Sequence, residues 1–373
     1  MQIRDFQLER YFAKYEFSAR HLLSPSDCEP ISMSELLGMA SKQDLRRWDE
    51  LVLAYTESAG LPELRTRIAE LQGGVSAEDV LCAVPEEGIF LAMNTLLEPG
   101  DRVIALHPAY QSLYEIARSI GCKVERWPLL RDDEKWRLDF ELLENLLQER
   151  AKLVVLNFPH NPTGFQPTRD EFAQILEAAE ASGASVFSDE MYRGLEFGGA
   201  DRLPSAAAMS DKAISLSGLS KTYALPGLRS GWLACRDPEF IAAAQSLKDY
   251  TTICAPGPVE ALSLIALDNA EALAERSRNI VAGNLELAAD FFGRQRNAGF
   301  SLIPPLAGSI CLAELNTGES AYDFCEAAVK TANVMVVPSA AFDMDGEFIR
   351  LGLGRSSFGK ALDAFESFIE QRT

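Results

Sequence analysis

The stretch Leu153–Cys235 carries the clearest pattern for predicting the fold. It begins with LVVLNFPHNPTG (Leu153–Gly164) and ends with AISLSGLSKTYALPGLRSGWLAC (Ala213–Cys235). Within it, short apolar runs alternate with longer amphipathic segments such as RDEFAQILEAAEASG (Arg169–Gly183). Continuous apolar runs are typical of strands that are buried on both faces of a largely parallel sheet. Because these runs alternate with helical patterns, the stretch predicts a doubly wound α/β domain.

The same alternation extends towards the N-terminus as far as residue 80. Each apolar run predicts one strand, and all of them are expected in a single sheet. The predicted strands are VLCAV (Val80–Val84), VIALH (Val103–His107), KVERWPL (Lys123–Leu129), LVVLN (Leu153–Asn157), SVFSD (Ser185–Asp189), AISLS (Ala213–Ser217) and GWLAC (Gly231–Cys235).

The pattern changes beyond Asp237, where the chain becomes mostly helical before three short strand-like runs and a last helix from Lys360. This arrangement is typical of an α+β unit. We therefore predict an α/β protein whose large domain, residues 45–270, holds a mostly parallel seven-stranded sheet flanked by helices. Residues 1–44 and 271–373 are expected to form a smaller α+β domain that includes the N-terminal segment.

Composition narrows the class of protein. The 373 residues include 55 acidic and 35 basic side chains, a formal charge of −20, so a nucleic-acid partner is not expected. No apolar run approaches the roughly 20 residues of a membrane span, and the charged start lacks the apolar core of a secretory signal. The seven cysteines and three histidines are scattered, which indicates neither disulfides nor a metal site. We expect a soluble cytoplasmic protein.

Ligands of open α/β sheets bind at the carboxyl ends of the strands, where this chain places several polar groups. Pro85-Glu86-Glu87-Gly88 is either a plain helix start or an anion site built from free N–H groups. Tyr110 either packs or stacks on a flat ring. Asp189 is either solvated or paired with a cationic ring nitrogen. Lys221 is either a solvated loop lysine or an amine that forms a Schiff base with a carbonyl cofactor.

Three motifs, in this order, carry a resemblance to a known family: NFPHNPTG (Asn157–Gly164), SDEMY (Ser188–Tyr192) and GLSKTYALPGLRSGW (Gly218–Trp232). With them, the chain from about Leu51 to Arg350 resembles the fold-type-I pyridoxal-phosphate enzymes, specifically the class I/II aminotransferases. The resemblance implies pyridoxal 5'-phosphate as cofactor, a homodimer with a shared active site, and an amino acid and a 2-oxo acid as substrates.

The resemblance also implies roles around the cofactor ring. Lys221 would hold the cofactor as a Schiff base and then shuttle a proton between substrate and cofactor. Asp189 would keep the pyridine nitrogen protonated. Tyr192 and Asn161 would bond the 3-oxygen of the ring, and Tyr110 would stack on the ring.

Other roles concern the two anions of the complex. Arg229 would bind the cofactor phosphate, and Tyr55 would reach that phosphate from the neighbouring subunit. Arg350, with Asn161 beside it, would bind the substrate α-carboxylate through its planar fork.

Two departures from the family pattern remove hydroxyl donors from the phosphate site. The usual Ser/Thr-Gly-Ala turn is replaced by Ala83-Val84-Pro85-Glu86-Glu87, and Gly218 stands where relatives often have serine. We therefore expect the phosphate to be held by the backbone N–H groups of Glu86 and Glu87 together with Arg229, Tyr55 and either Ser217 or Ser220.

Several functions remain open at this point. An aminotransferase is the principal hypothesis; a carbon–sulfur β-lyase, a decarboxylase or a cyclising enzyme would use the same lysine, aspartate and arginine. A non-catalytic cofactor-binding module would need an attached DNA-binding domain, for which the acidic chain has no basic segment. Substrate choice is expected to depend on Ser24–Pro30 and Lys248–Pro258, and the second segment lacks an arginine for a second substrate carboxylate.

Overall fold

The computed structural model describes residues 2–132 and 135–372. The strands in chain order are β1 (His21–Leu22), β2 (Val80–Ala83), β3 (Arg102–His107), β4 (Lys123–Pro128), β5 (Leu130–Asp132), β6 (Lys135–Arg137), β7 (Leu153–Asn157), β8 (Ser185–Asp189), β9 (Ala213–Gly218), β10 (Gly231–Ala234), β11 (Phe300–Ile303), β12 (Ile310–Leu315), β13 (Val334–Met335), β14 (Val337–Pro338) and β15 (Phe348–Gly352).

The helices surround these strands in the described part of the chain. They are α1 (Gln7–Tyr15), α2 (Met33–Gly38), α3 (Lys42–Asp49), α4 (Pro62–Gln72), α5 (Pro85–Leu96), α6 (Ser112–Ile120), α7 (Phe140–Leu147), α8 (Arg169–Ser182), α9 (Ala206–Met209), α10 (Pro238–Lys248), α11 (Gly257–Asp268), α12 (Ala270–Gln295), α13 (Ala321–Ala332) and α14 (Phe358–Glu370).

The central sheet has seven strands in the order β2-β10-β9-β8-β7-β3-β4. Strand β10 is antiparallel to both of its neighbours, and the other pairs in the sheet are parallel. All seven predicted runs form these strands, so the prediction of a mostly parallel seven-stranded sheet is confirmed. The apolar runs belong here because residues 80–83 and 153–157 are buried along their whole length.

Helices cover both faces of this sheet. On one face α5, α6 and α10 pack through Leu91, Ile116 and Phe240. On the other face α7 and α8 contribute Leu143 and Phe172. Because apolar side chains cover both faces of the sheet, polar side chains that bind a ligand are expected at the edge where the strands end.

A second sheet has four antiparallel strands in the order β11-β12-β15-β14. Helices α12, α13 and α14 pack on it around a cluster of phenylalanines that includes Phe291, Phe324 and Phe365. The two-residue β1 pairs with β13, which ties the N-terminal segment to this unit. Gly352, at the end of β15, has no room for a Cβ because one would overlap the carbonyl of Pro25.

Residues 31–40 do not pack on this second sheet. Leu36 instead belongs to an apolar cluster with Leu64 of α4 and Leu264 of α11. The domain boundaries after residues 44 and 270 stay a prediction. Within the described residues, none of the helices combines the length and the apolar composition that crossing a membrane requires.

Candidate functional site

The polar groups at the carboxyl edge of the large sheet centre on Asp189, the last residue of β8. Its side chain is buried, and the backbone N–H of Met191 donates to Oδ1 at 3.1 Å. Burial raises the pKa of the Asp189 carboxyl to about 7, against the opposing effect of the nearby Lys221 charge. A cationic partner would therefore stabilise this group strongly in its ionised form.

Lys221 follows β9 on a loop and is half-buried. Its Nζ donates to Oγ of Ser26 at 2.8 Å and lies 6.0 Å from the ring centroid of Tyr192. The sequence predicted a role for Ser24–Pro30 in substrate choice but carried no signal for a contact between Ser26 and Lys221, which are 195 residues apart. The amine is held in place by one hydroxyl and stays accessible.

Arg350 sits inside the molecule at 1% exposure, in the middle of β15. Its Nη1 donates to Oδ1 of Asn161 at 3.1 Å and its Nη2 donates to the carbonyl of Ser24 at 2.8 Å. Burial lowers the pKa of the guanidinium, and no described carboxylate forms an ion pair with it. Its Nε has no hydrogen-bond partner among the described residues. A buried cation with open donors is suited to an anionic ligand.

Asn161 links Arg350 to Asp189 through one chain of hydrogen bonds. The N–H of Asn161 donates to Oδ1 of Asn157 at 2.8 Å, and Nδ2 of Asn157 donates to the backbone carbonyl of Asp189 at 3.0 Å. Because the amide oxygen of Asn161 accepts from Arg350, its NH₂ end remains as a donor.

His160 belongs to the structural support of this loop. The ring is buried between Oγ1 of Thr163 and the carbonyl of Pro108, each at 2.7 Å from a ring nitrogen. Burial lowers the pKa of His160 to about 3, so the imidazole is neutral at physiological pH. No group of three or more His, Cys, Asp or Glu among residues 2–132 and 135–372 is placed to hold a metal ion.

The departure at Gly218 has a steric reason. A Cβ at this position would lie 2.8 Å from the carbonyl oxygen of Ser230 and 3.1 Å from Cγ of Pro85. The proline that replaces a turn residue at the start of α5 therefore packs where a serine side chain would begin. The two departures from the family pattern, Pro85 and Gly218, are therefore in contact with each other in the structure.

Two predicted phosphate ligands lie beside this packing. The Oγ of Ser220 is buried and has no partner within the described residues. Arg229 is exposed, and its Nη1 donates to the carbonyl of Pro226 at 3.1 Å. Ser220 offers a buried hydroxyl to a ligand, and Arg229 offers an exposed cation whose remaining N–H groups can donate.

The carboxylates of Glu86 and Glu87 point to different surroundings. Glu87 accepts hydrogen bonds from the hydroxyls of Thr251 and Thr252, and so anchors the segment Lys248–Pro258. Glu86 is half-buried, and its negative charge adds to the rise in the pKa of Asp189. The N–H groups of both residues lie in the first turn of α5, where a helix has no internal acceptors for them.

Tyr110 lies against the N-terminal segment. Its ring centroid is 4.8 Å from that of Phe6, and its hydroxyl donates to Oε1 of Glu9 at 3.2 Å. Sequence reasoning missed Phe6 and Glu9, because nothing in α1 resembles a site motif and only the fold brings that helix to the sheet edge.

Tyr55, a predicted phosphate ligand of the neighbouring subunit, lies on the surface of this chain. Its side chain is 88% exposed, beside Val52 at 76% and Leu53 at 82%. The structure brings together Asp189, Tyr192, Lys221, Asn161 and Arg350 at one sheet edge, with Tyr110 and the start of α5 around them.

The site combines a half-buried lysine, a buried aspartate and a buried arginine at the carboxyl edge of a doubly wound sheet. This combination is typical of enzymes that bind pyridoxal phosphate. The chain belongs to the aminotransferase class I and II family, whose model matches residues 40–358. The family predicted from the three sequence motifs is confirmed, as is the fold-type-I architecture.

Similar proteins include both aminotransferases and a synthase. The chain is 29% identical over 333 residues to an aspartate aminotransferase from Pyrococcus horikoshii, covering 83% of this chain and 81% of the relative. It is 28% identical over 359 residues to a capreomycidine synthase from Streptomyces vinaceus, covering 95% and 88%. A crystal structure of a PLP-dependent aminotransferase from Streptococcus suis matches with a TM-score of 0.92 at 29% identity, over 100% of this chain and 99% of the other.

Proposed function

We propose that this protein is a pyridoxal-phosphate-dependent aminotransferase that moves an amino group from an amino acid to a 2-oxo acid. The observation that carries the proposal is the hydrogen-bond chain from Asp189 through Asn157 and Asn161 to Arg350, beside Nζ of Lys221. The chain joins the backbone of Asp189 to the anion-binding guanidinium, and the charge of Lys221 acts to lower the pKa of the Asp189 carboxyl. An acid, an amine and a guanidinium are the groups that amino transfer on a pyridine ring requires.

The residues present fit the cofactor. The buried Oγ of Ser220 lacks a partner among the described residues, as a phosphate ligand would, and Arg229 together with the first turn of α5 adds charge and N–H donors. The raised pKa of Asp189 suits a partner that carries a ring N–H⁺. The NH₂ end of Asn161 and the hydroxyl of Tyr192 would serve the 3-oxygen. When bound, the cofactor supplies an electron sink for the carbanion formed at the substrate α-carbon.

Each side chain has a distinct task in this proposal. Lys221 would hold the cofactor through Nζ, and as a free amine it would carry the proton at the α-carbon of the substrate. Ser26 orients that amine at 2.8 Å. Arg350 would bind the α-carboxylate of the substrate through the donors that Asn161 and Ser24 leave open, and so would orient the substrate.

A half-reaction without any 2-oxo acid tests the function. We expect the holoenzyme mixed with one amino acid to convert stoichiometrically to the aminated cofactor, with one equivalent of 2-oxo acid released, and then to stop. Stopped-flow absorbance and product analysis measure both. Continuous release of pyruvate and ammonia from a cysteine-like substrate would instead establish a lyase. A cyclised product without 2-oxo acid would establish a cyclising enzyme.

We also propose a homodimer whose partner subunit supplies Tyr55 to the phosphate site. Support comes from the exposed apolar surface formed by Val52, Leu53 and Tyr55, together with Tyr250 at 88% exposure. Large exposed apolar side chains that cluster in this way mark an interaction surface. Sedimentation should give twice the 41.0 kDa chain mass. A Leu53→Asp protein should dissociate and bind pyridoxal phosphate more weakly, and a fully active monomer would contradict the shared site.

A cytoplasmic location stays a prediction. The seven cysteines are all free and six of them are buried, which is typical of a reducing compartment. Cell fractionation of the native host, with the protein found outside the cytoplasm, would refute it.

A further inference from the structure

Lys248, the last residue of α10, is a buried cation that the proposed reaction does not use. The residue is 1% exposed, and its Nζ donates to two backbone carbonyls, that of Ser58 at 2.8 Å and that of Ile253 at 3.0 Å. Burial lowers the pKa of this ammonium group. Because an interior ammonium that binds neutral carbonyls is costly to bury, a methionine of similar length would fill the same space at lower cost. The two carbonyls that the ammonium binds therefore indicate what it does.

One of these carbonyls belongs to a residue with a strained backbone. Ile253 has a φ of +65°, in the left-handed region that β-branched side chains rarely adopt. Its side chain is 50% exposed, so apolar burial does not account for this conformation. Lys248 binds both polar groups of the residue, since Nζ donates to the carbonyl of Ile253 and the carbonyl of Lys248 accepts from its N–H at 3.1 Å. A strained backbone persists where surrounding contacts hold it, and Lys248 supplies two of those contacts.

The other carbonyl, that of Ser58, belongs to the segment that carries Tyr55. We call residues 51–58 the Tyr55 arm. The arm lies within the described part of the chain and forms neither helix nor strand, so its position depends on hydrogen bonds to other segments. Besides the bond to Lys248, these include Oγ1 of Thr56 to the carbonyl of Ala255 at 2.9 Å and Oγ of Ser58 to Oδ1 of Asp249 at 3.1 Å.

All three partners of the arm lie in residues 248–255, which we call the base segment. The base segment is itself attached to the large domain, because it begins at the end of α10 and two of its hydroxyls donate to Glu87 in the first turn of α5. Lys248 is the residue that binds both the arm and the strained turn of the base segment. Its ammonium therefore sets how the arm lies on the base segment.

We propose that Lys248 is a positioning residue for the cofactor site of the neighbouring subunit, because it fixes the Tyr55 arm on the base segment. A fixed arm presents the exposed side chain of Tyr55 to the phosphate with little further loss of chain entropy. The inference rests on the proposed function and the proposed homodimer, since it needs a bound phosphate and a second subunit. It assigns Lys248 an effect on the site of the partner and none on the chemistry at Lys221 of its own chain.

Lys248→Met removes the charge and keeps the length of the side chain. We expect the variant to remain a dimer and to bind pyridoxal phosphate about 10- to 100-fold more weakly, which corresponds to the loss of one hydrogen bond to a charged group. At saturating cofactor its kcat should stay within about threefold of wild type, because the reactive groups are unchanged. Titration with pyridoxal phosphate, followed by the absorbance band of the lysine-linked cofactor, measures the affinity. The matched control is Lys152→Met, which changes an exposed lysine just before β7 and should bind as wild type does.

A hybrid dimer shows on which subunit Lys248 acts. In a dimer of one Lys248→Met subunit and one Lys221→Ala subunit, purified through two different tags, only the first subunit can link the cofactor to Lys221. The neighbour of that subunit carries an intact Lys248, so we expect the lysine-linked band to report wild-type affinity. Affinity as weak as in the Lys248→Met homodimer would place the effect within one subunit and overturn the inference.

The lysine-linked band forms whichever reaction follows, so a lyase or a cyclising enzyme in place of an aminotransferase would leave this test unchanged. A wild-type chain that sediments as a monomer, or a Lys248→Met dimer with wild-type affinity, would overturn the inference. If Lys248→Met does not fold, Lys248→Met/Ile253→Gly takes its place, because glycine adopts a φ of +65° without strain. Ile253→Gly alone is the reference for that variant and should bind the cofactor as wild type does.

Discussion

Replacing Lys221 by alanine is expected to lower kcat for amino transfer by at least about 1,000-fold, within the range that general acid–base groups contribute. The variant loses both the covalent attachment of the cofactor and the amine that carries the α-proton. Ser26, its hydrogen-bond partner at 2.8 Å, cannot replace it, because a neutral hydroxyl is a far weaker base than an amine and forms no Schiff base. Steady-state and single-turnover kinetics measure the loss, and the absorbance band of the lysine-linked cofactor should be absent.

Two controls separate chemistry from structure. Lys212→Ala removes an exposed lysine just before β9 and should leave the rate unchanged. Added methylamine should restore part of the activity of the Lys221→Ala protein, because a small amine can enter the vacated space, whereas it would not repair a misfolded site. Turnover of the Lys221→Ala protein above a tenth of the wild-type rate would refute the mechanism.

Asp189→Asn is expected to lower kcat by about 100-fold or more, since the loss of a charge that stabilises a developing charge in a buried site has this order of effect. An amide has nearly the same shape as the carboxylate, and the N–H of Met191 can still donate to its oxygen. The charge that keeps the ring nitrogen protonated is removed while the packing remains. Asp201→Asn, at an exposed loop position, is the matched control and should stay fully active.

The same substitution should change how stability depends on pH in the cofactor-free protein. Burial raises the pKa of Asp189 to about 7 in the folded chain, whereas an unfolded chain has a carboxyl pKa of about 3.9. Between these two values the folded state binds a proton that the unfolded state has released. Stability from this group is therefore complete below about pH 4, falls as the pH rises towards 7, and then levels off.

Denaturant unfolding at pH 5 and pH 8 measures this effect. The free energy of unfolding of the wild type should fall relative to that of Asp189→Asn between the two pH values. Bound cofactor should abolish the difference, because its ring N–H⁺ would keep the carboxylate ionised throughout. Parallel pH dependences of the two cofactor-free proteins would show that Asp189 does not retain a proton in the folded state.

The strands were predictable because the signal for each one is local. Runs such as Leu153–Asn157 are apolar throughout since both faces of the sheet are covered, and the carboxyl ends of parallel strands meet at one edge. That rule alone predicted that Asp189 and Lys221 would lie near one another. The confirmed family motifs added Arg350, which no strand-end argument would have selected.

Other contacts could not be predicted because the partners are far apart in the chain and carry no motif. Ser26 contacts Lys221, and Glu9 contacts Tyr110, in a fold in which β1 pairs with β13 and the N-terminal segment packs against the end of β15. Pro85 and Gly218 are separate departures in the sequence, but in the structure the start of α5 and the end of β9 approach each other closely there.

The α/β class and the seven strands were readable from short segments, because apolar periodicity is a local property of the chain. The reactive groups predicted from the same segments stay a prediction. The surroundings of those groups came from the tertiary structure: Ser26 holds the lysine, and the backbone carbonyl of Ser24 with the amide oxygen of Asn161 holds the arginine. Burial and electrostatic environment arise from packing between segments that are distant in the chain. The sequence of one such segment does not show which other segment it will contact.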